Sequence, residues 1–93
     1  MNGLNFSWDP HKAALNIKKH GVSFEEASTV FGDPNAVTVC DEERSEEEDR
    51  EVTIGISKRM RLVVVSHTDR GGTIRIISAR KATRREMLQF QGN

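Results

Sequence analysis

Apolar residues follow two periods along this chain, and each period predicts its own elements. Leu4, Phe6 and Trp8 alternate with polar neighbours, as in a short half-buried strand. From Pro10 the spacing turns helical. Asp9 suits an N-cap and Pro10 the first helical position. This first helix should run to Lys19 or His20 and stop at Gly21, which takes the left-handed conformation easily. Its apolar side is thin, made of Ala13, Ala14, Leu15 and Ile17. Ser23 and Glu26 read as a reciprocal capping box for a second, short helix. Phe24, Ala27, Val30 and Phe31 keep helical spacing there, and Gly32-Asp33-Pro34 ends it.

Past Pro34 the period falls to two. Candidate strands cover residues 36–40, 50–57, 62–67 and 73–79. Val52, Ile54 and Ile56 alternate as one face of a sheet, while Val63-Val64-Val65 is apolar on both faces and so belongs to a central strand. Lys58-Arg59-Met60 and Asp69-Arg70-Gly71-Gly72 supply turns. Thr83 and Glu86 form another capping box, for a last helix from Arg84 to about Gln91 with Met87, Leu88 and Phe90 as its contacts. The fold class is α+β. A four-strand antiparallel meander plus a short N-terminal strand carries two N-terminal helices and one C-terminal helix, packed against one face.

The 93 residues fit one domain, 1–93. The formal net charge is zero, which taken alone speaks against a nucleic-acid binder. It is a cancellation. Residues 41–51 hold eight acidic and two basic side chains, and residues 52–93 hold nine basic and two acidic ones. Such asymmetry points to a charged partner. The acidic block reads as a solvated loop or as an internal counterweight to the basic half. Cys40 is the one cysteine, so no internal disulfide can form. There is no run of 18 apolar residues and no signal-peptide pattern, and a cytoplasmic location is expected. Walker, zinc-ligand and dinucleotide motifs are absent, so no metal or cofactor is expected.

The chemistry concentrates where the last strand runs into the last helix. Arg75, Arg80, Lys81, Arg84 and Arg85 crowd that junction. Arg84 and Arg85 stand in the first turn, where the helix dipole disfavours cations, and Lys12 does so in the first helix. A bound anion would offset that cost, and a nucleic-acid phosphate is the anion favoured here. If such a phosphate is not only bound but cleaved, the nucleophile must lose its proton, phosphoryl charge must be stabilised, and the leaving oxygen protonated. Arginine suits the phosphoryl oxygens and histidine the proton transfers. Arg80 is therefore read as the phosphate clamp with Lys81 in support. His20 is the candidate acid or base, tuned by Lys19 or Lys12. Structural alternatives stand beside these: Arg80 or Lys81 paired with the acidic block or coating the sheet edge, and His20 as a partner of its own helix dipole. His67 and His11 are the other histidines. Aromatics are few and at core-facing spacing, so loose sequence preference is expected.

These residues together resemble the BrnT toxins of bacterial type II toxin–antitoxin systems. The resemblance rests on Phe6-x-Trp8-Asp9, Lys12, Asn16, the run from Lys19-His20-Gly21-Val22 through Phe24-Glu25-Glu26-Ala27, and Val30-Phe31-x-Asp33. It continues through Glu48-x-Arg50 and Gly55 to Arg75-Ile76-Ile77-Ser78-Ala79-Arg80-Lys81-Ala82 and Glu86. It implies a RelE-like fold, an endoribonuclease that blocks translation, and a BrnA-like ribbon-helix-helix antitoxin. It also implies a dimer of toxin–antitoxin pairs that reaches operator DNA through the antitoxin. Catalytic roles fall on Arg80, Lys81, His20 and Lys12, and RNA contacts on Lys19, Arg50, Arg75, Arg84 and Arg85. One departure is Phe90, where the family usually carries tyrosine. The competing reading is a non-catalytic module that binds nucleic acid or a partner as a co-repressor. What separates the two is whether His20 lies beside Arg80 and Lys81.

Overall fold

The computed structural model describes residues 4–41 and 49–92. In chain order the elements are β1 (Asn5–Ser7), α1 (Pro10–His20), α2 (Phe24–Thr29), a 3₁₀ turn (Val30–Gly32), β2 (Val37–Cys40), β3 (Arg50–Ile56), β4 (Leu62–Arg70), β5 (Thr73–Lys81) and α3 (Arg84–Gln91). The helix starts follow local chemistry. Asp9 accepts a hydrogen bond from the His11 amide at 2.8 Å, and Gly21 ends α1 with φ at 71°. Thr83 and Glu86 make a complete capping box. At Ser23 only half of the expected box forms. Its hydroxyl accepts from the Glu26 amide, but the Glu26 carboxylate accepts instead from the Ser57 hydroxyl at 2.7 Å and from Arg61 Nε at 2.9 Å. Glu26 is buried, and the guanidinium of Arg61 holds its carboxyl below the usual carboxylate range.

The strands lie in the order β1-β5-β4-β3-β2. β2 to β5 form the expected antiparallel meander, whereas β1 pairs with β5 in parallel, Phe6 opposite Ile74. The sheet is therefore mixed. A register shift between Ser66 and His67 puts one extra residue into β5. β4 and β5 also run two to three residues further than the sequence pattern suggests, to Arg70 and Lys81.

One face of the sheet carries the core. Val63, Val65, Ile76 and Ala79 pack there against Val22, Phe24, Ala27 and Val30, with Phe6, Trp8, Ala13 and Phe31 around them. Gly55 lets the 3₁₀ turn approach, since a Cβ there would lie 3.0 Å from Val30 Cγ1 and 2.9 Å from Ala36 Cβ. Next to it, Asp33 Oδ2 accepts from the Ile56 amide at 2.7 Å, beyond the last residue of β3 that β2 pairs.

Two expectations about packing are corrected. Leu15 and Ile17 of α1 are half-exposed, and the residue that α1 buries is Asn16. Its Nδ2 donates to the carbonyls of Val22 and Ala79, both at 2.8 Å, and its Oδ1 accepts from the Ala79 amide at 3.2 Å. β1 pairs β5 only as far as Arg75, so Asn16 serves the Ala79 backbone edge that β1 does not reach. The second correction concerns α3. It lies on the opposite face from α1 and α2, beside Val52, Ile54 and Val64, which alternate with the core residues Thr53 and Val65. The stripe of Val52, Ile54 and Ile56 thus belongs to a second, shallower layer, and α3 has no buried residue.

Candidate active site

A cleft of about 640 Å³ opens on that second face, and parts of the chain far apart in sequence supply its walls. Lys19 and His20 come from the last turn of α1, Arg50 from the start of β3, Ser66 from β4, Ser78 and Arg80 from β5, and Glu86 from α3. Local structure explains each placement. Gly21 ends α1 just after His20, and Asn16, one turn earlier, ties that helix to Ala79, the neighbour of Arg80. In the sheet, Arg80 stands opposite Val64, and Ser78 opposite Ser66, so their side chains share the face with Val52.

Arg80 and Glu86 form a bidentate pair, Nη1 to Oε1 at 2.8 Å and Nη2 to Oε2 at 2.9 Å. Oε1 also accepts from the Thr83 amide at 2.8 Å. The Arg80 guanidinium, helped by that amide, pulls the Glu86 carboxyl down to about 2, against the opposing effect of burial. The same pair raises Arg80 above its ordinary value. Glu86 therefore stays a carboxylate and is a poor proton carrier near neutrality. Arg80 Nη1 also donates to the Lys81 carbonyl at 3.3 Å. A guanidinium has five N–H donors, and among the described residues these three contacts leave Nε and the second Nη2 hydrogen, side by side. A phosphate can be received on that edge while Glu86 holds the other end.

The cleft gathers Arg80, His20, Lys19 and Arg50. It does not gather the other expected site residues. Strand alternation turns Lys81 away from Arg80, and it lines a separate apolar groove with Met60, Leu62 and Met87. Lys12 is exposed near the start of α1, away from the cleft wall that its last turn supplies. Arg75 lies between Ser7 and Thr68 in the sheet, and Arg84 and Arg85 are exposed in the first turn of α3. Glu48 and most of the acidic block fall at 42–48, outside the described residues. His67 is buried in the core layer, with Nε2 2.7 Å from Thr53 Oγ1 and its ring edge-on to Phe31. Burial lowers its pKa, partly opposed by Glu51 and Asp69.

Sequence reasoning did not assign Glu86, Ser66 or Ser78 to this wall. The capping pattern accounted fully for Glu86, and the two serines are legible only from strand register. Among the described residues no group of three or more His, Cys, Asp or Glu side chains is gathered to hold a metal ion. No described helix is long and apolar enough to cross a membrane.

A search of curated proteins finds no match. Among solved structures, the chain is similar to the ribonuclease toxin BrnT of Brucella abortus, determined at 1.1 Å. The TM-score is 0.67 at 24% identity, over 88% of this chain and 100% of that one. That likeness establishes the fold. Residues 8–86 match the family model for BrnT, the ribonuclease toxin of type II toxin–antitoxin systems, and the chain belongs to this family.

Proposed function

We propose that this chain is a metal-independent endoribonuclease whose centre is the cleft between α1, β3, β5 and α3. One observation carries the reading: His20 lines the same cavity as Arg80, Arg50 and Lys19. Arg80 receives a phosphoryl oxygen on its Nε edge, and Arg50 and Lys19 add positive charge where the attacked phosphate becomes more negative. His20 takes or returns the proton of the ribose hydroxyl or of the leaving oxygen. Phe90 has no phenolic proton to give, so that task does not pass to the family's usual tyrosine position. Glu86 fixes the plane of the guanidinium, which keeps its open edge directed.

The family implies an antitoxin. We assign that role to a BrnA-like ribbon-helix-helix protein in the cytoplasm, which joins toxins in pairs and carries the complex to operator DNA. Lys81, Lys12, Arg75, Arg84 and Arg85 then serve as outlying phosphate contacts instead of parts of the centre.

The test is cleavage of single-stranded RNA by the purified chain in EDTA. Arg80→Ala and His20→Ala should each lower the rate at least about 100-fold with the fold intact. A requirement for a divalent cation would reject the mechanism, and undiminished cutting by Arg80→Ala would reject the site. The binding-module reading draws on the Arg80–Glu86 pair, which already engages one end of the guanidinium. RNA that is bound but never cut would favour it.

A further inference from the structure

An apolar trough of about 230 Å³ adjoins the cleft on the same face of the sheet. Val37, Val39 and Ile54 line its strand side, and Gln89 and Phe90 its helix side. Cleft and trough share Val39, Val52, Val64 and Glu86, so they form one continuous depression, charged at one end and apolar at the other. Val37 and Val39 remain 46% and 56% exposed, which is unusual for alternate valines on the covered face of a sheet.

The chemistry of the proposed substrate matches this division. In RNA each phosphate is joined through one ribose to a base, so a phosphate held at Arg80 brings a base within one nucleotide's reach. Charged and hydroxyl walls suit the sugar-phosphate, and apolar or aromatic walls suit the flat faces of an unstacked base. Phe90 is the aromatic residue among the trough's lining side chains. Gln89, one turn beyond Arg85, brings an amide that can donate and accept together, the combination that reads a base edge.

We infer that the trough is a nucleobase subsite beside the scissile phosphate, with Val39, Ile54 and Phe90 against the base and Gln89 at its edge. This rests on the RNA-cleaving reading above. It replaces a loosely selective cleft with one that prefers a particular nucleotide at one position next to the cut.

Cut sites would first be mapped on a random-sequence RNA, and four short RNAs then made that differ only at the nucleotide next to one cut. The unaltered chain should prefer one of the four. Gln89→Ala should reduce that preference roughly tenfold in kcat/KM. Val37→Trp, at an exposed position on the edge strand that lines the trough and not the cleft, fills the trough and should raise KM roughly tenfold with an unchanged urea midpoint. Equal cutting of the four RNAs by the unaltered chain overturns the subsite. So does wild-type behaviour in both variants, which would leave the cleavage reading standing and mark the trough as a surface for a protein segment. Failure of the unaltered chain to cut any RNA overturns the cleavage reading and the subsite with it.

Discussion

Asn16→Ala is the most informative single change, because one side chain makes three buried hydrogen bonds, two of them to a strand 63 residues away. Nδ2 serves the carbonyls of Val22 and Ala79, and Oδ1 serves the Ala79 amide. Alanine removes all three and leaves those backbone groups buried next to a small void. Each such bond contributes about 1 kcal/mol net, and an orphaned backbone group costs at least as much, so the expected loss is about 3 kcal/mol. A domain of this size has a total stability of about 5–10 kcal/mol, so the variant should still fold at 25 °C. Its melting temperature should drop by about 12–24 °C. Urea unfolding followed by Trp8 fluorescence is a direct assay, since Trp8 packs edge-on to the core ring of Phe24 at 6.0 Å. The carboxylate of Asn16→Asp keeps the acceptor but loses both donated bonds and faces two carbonyls, so it should be at least as damaging. A loss below about 1 kcal/mol in the alanine variant would refute the reasoning, since it would mean that water or a backbone shift satisfies Ala79. The same variant should lose RNA cleavage beyond what unfolding explains, because α1 then no longer holds His20 against the strand that carries Arg80.

Acid should weaken the fold in two steps. Burial lowers His67, so the unfolded chain binds that proton more readily; stability from this group is complete above its ordinary value of 6.5 and falls below it. Glu86 is held at about 2 against an ordinary 4.5, so its contribution is complete above about 4.5 and is lost between there and about 2. Both partners of that pair are partly exposed, which limits the second step to about 1 kcal/mol. Urea midpoints from pH 8 to pH 3 would show both steps, and Glu86→Gln should shrink the lower one without removing it, because Glu26 is also held below its ordinary range by Arg61; midpoints independent of pH would contradict the assignment. Gly55→Ala should cost about 1–3 kcal/mol, measured by thermal unfolding, because its Cβ would press on Val30 and Ala36. Glu86→Gln should also slow cleavage without unfolding the protein, since it loosens the plane of Arg80; an unchanged kcat would remove Glu86 from the site.

Much of the fold was legible because local chemistry decides it. The caps at Asp9 and Thr83, the stop at Gly21 and the period-two strands are each written within a few consecutive residues. What escaped depends on contacts between distant segments. Nothing near Asn16 announces that a polar residue, and not Leu15 or Ile17, is the buried one. Nothing in Val52, Ile54 and Ile56 says which face of the sheet they line, so their periodicity alone does not place α3. The candidate site was legible to the same extent. Residue chemistry singled out Arg80, His20 and Lys19, and the family resemblance added Arg50, but the separation of Lys81 from Arg80 needed the register of β5. Glu26 is a sharper case: a capping pattern predicted its local partner, and Ser57 and Arg61 claimed its carboxylate instead.

The bonds between Asn16 and Ala79 span 63 residues of sequence. That separation bears on how the protein is made. While the ribosome is still adding β5, Asn16 has no Ala79 to bind, and His20 has no Arg80 to face across a cleft. The pieces of the proposed centre are thus synthesised early and late, and they meet only after most of the chain has emerged. It follows that a nascent chain, or a product truncated before Ala79, cannot assemble the cleft. A cell translating this message is then exposed to the full cleft only once synthesis has passed β5, which leaves an antitoxin the interval of folding in which to bind.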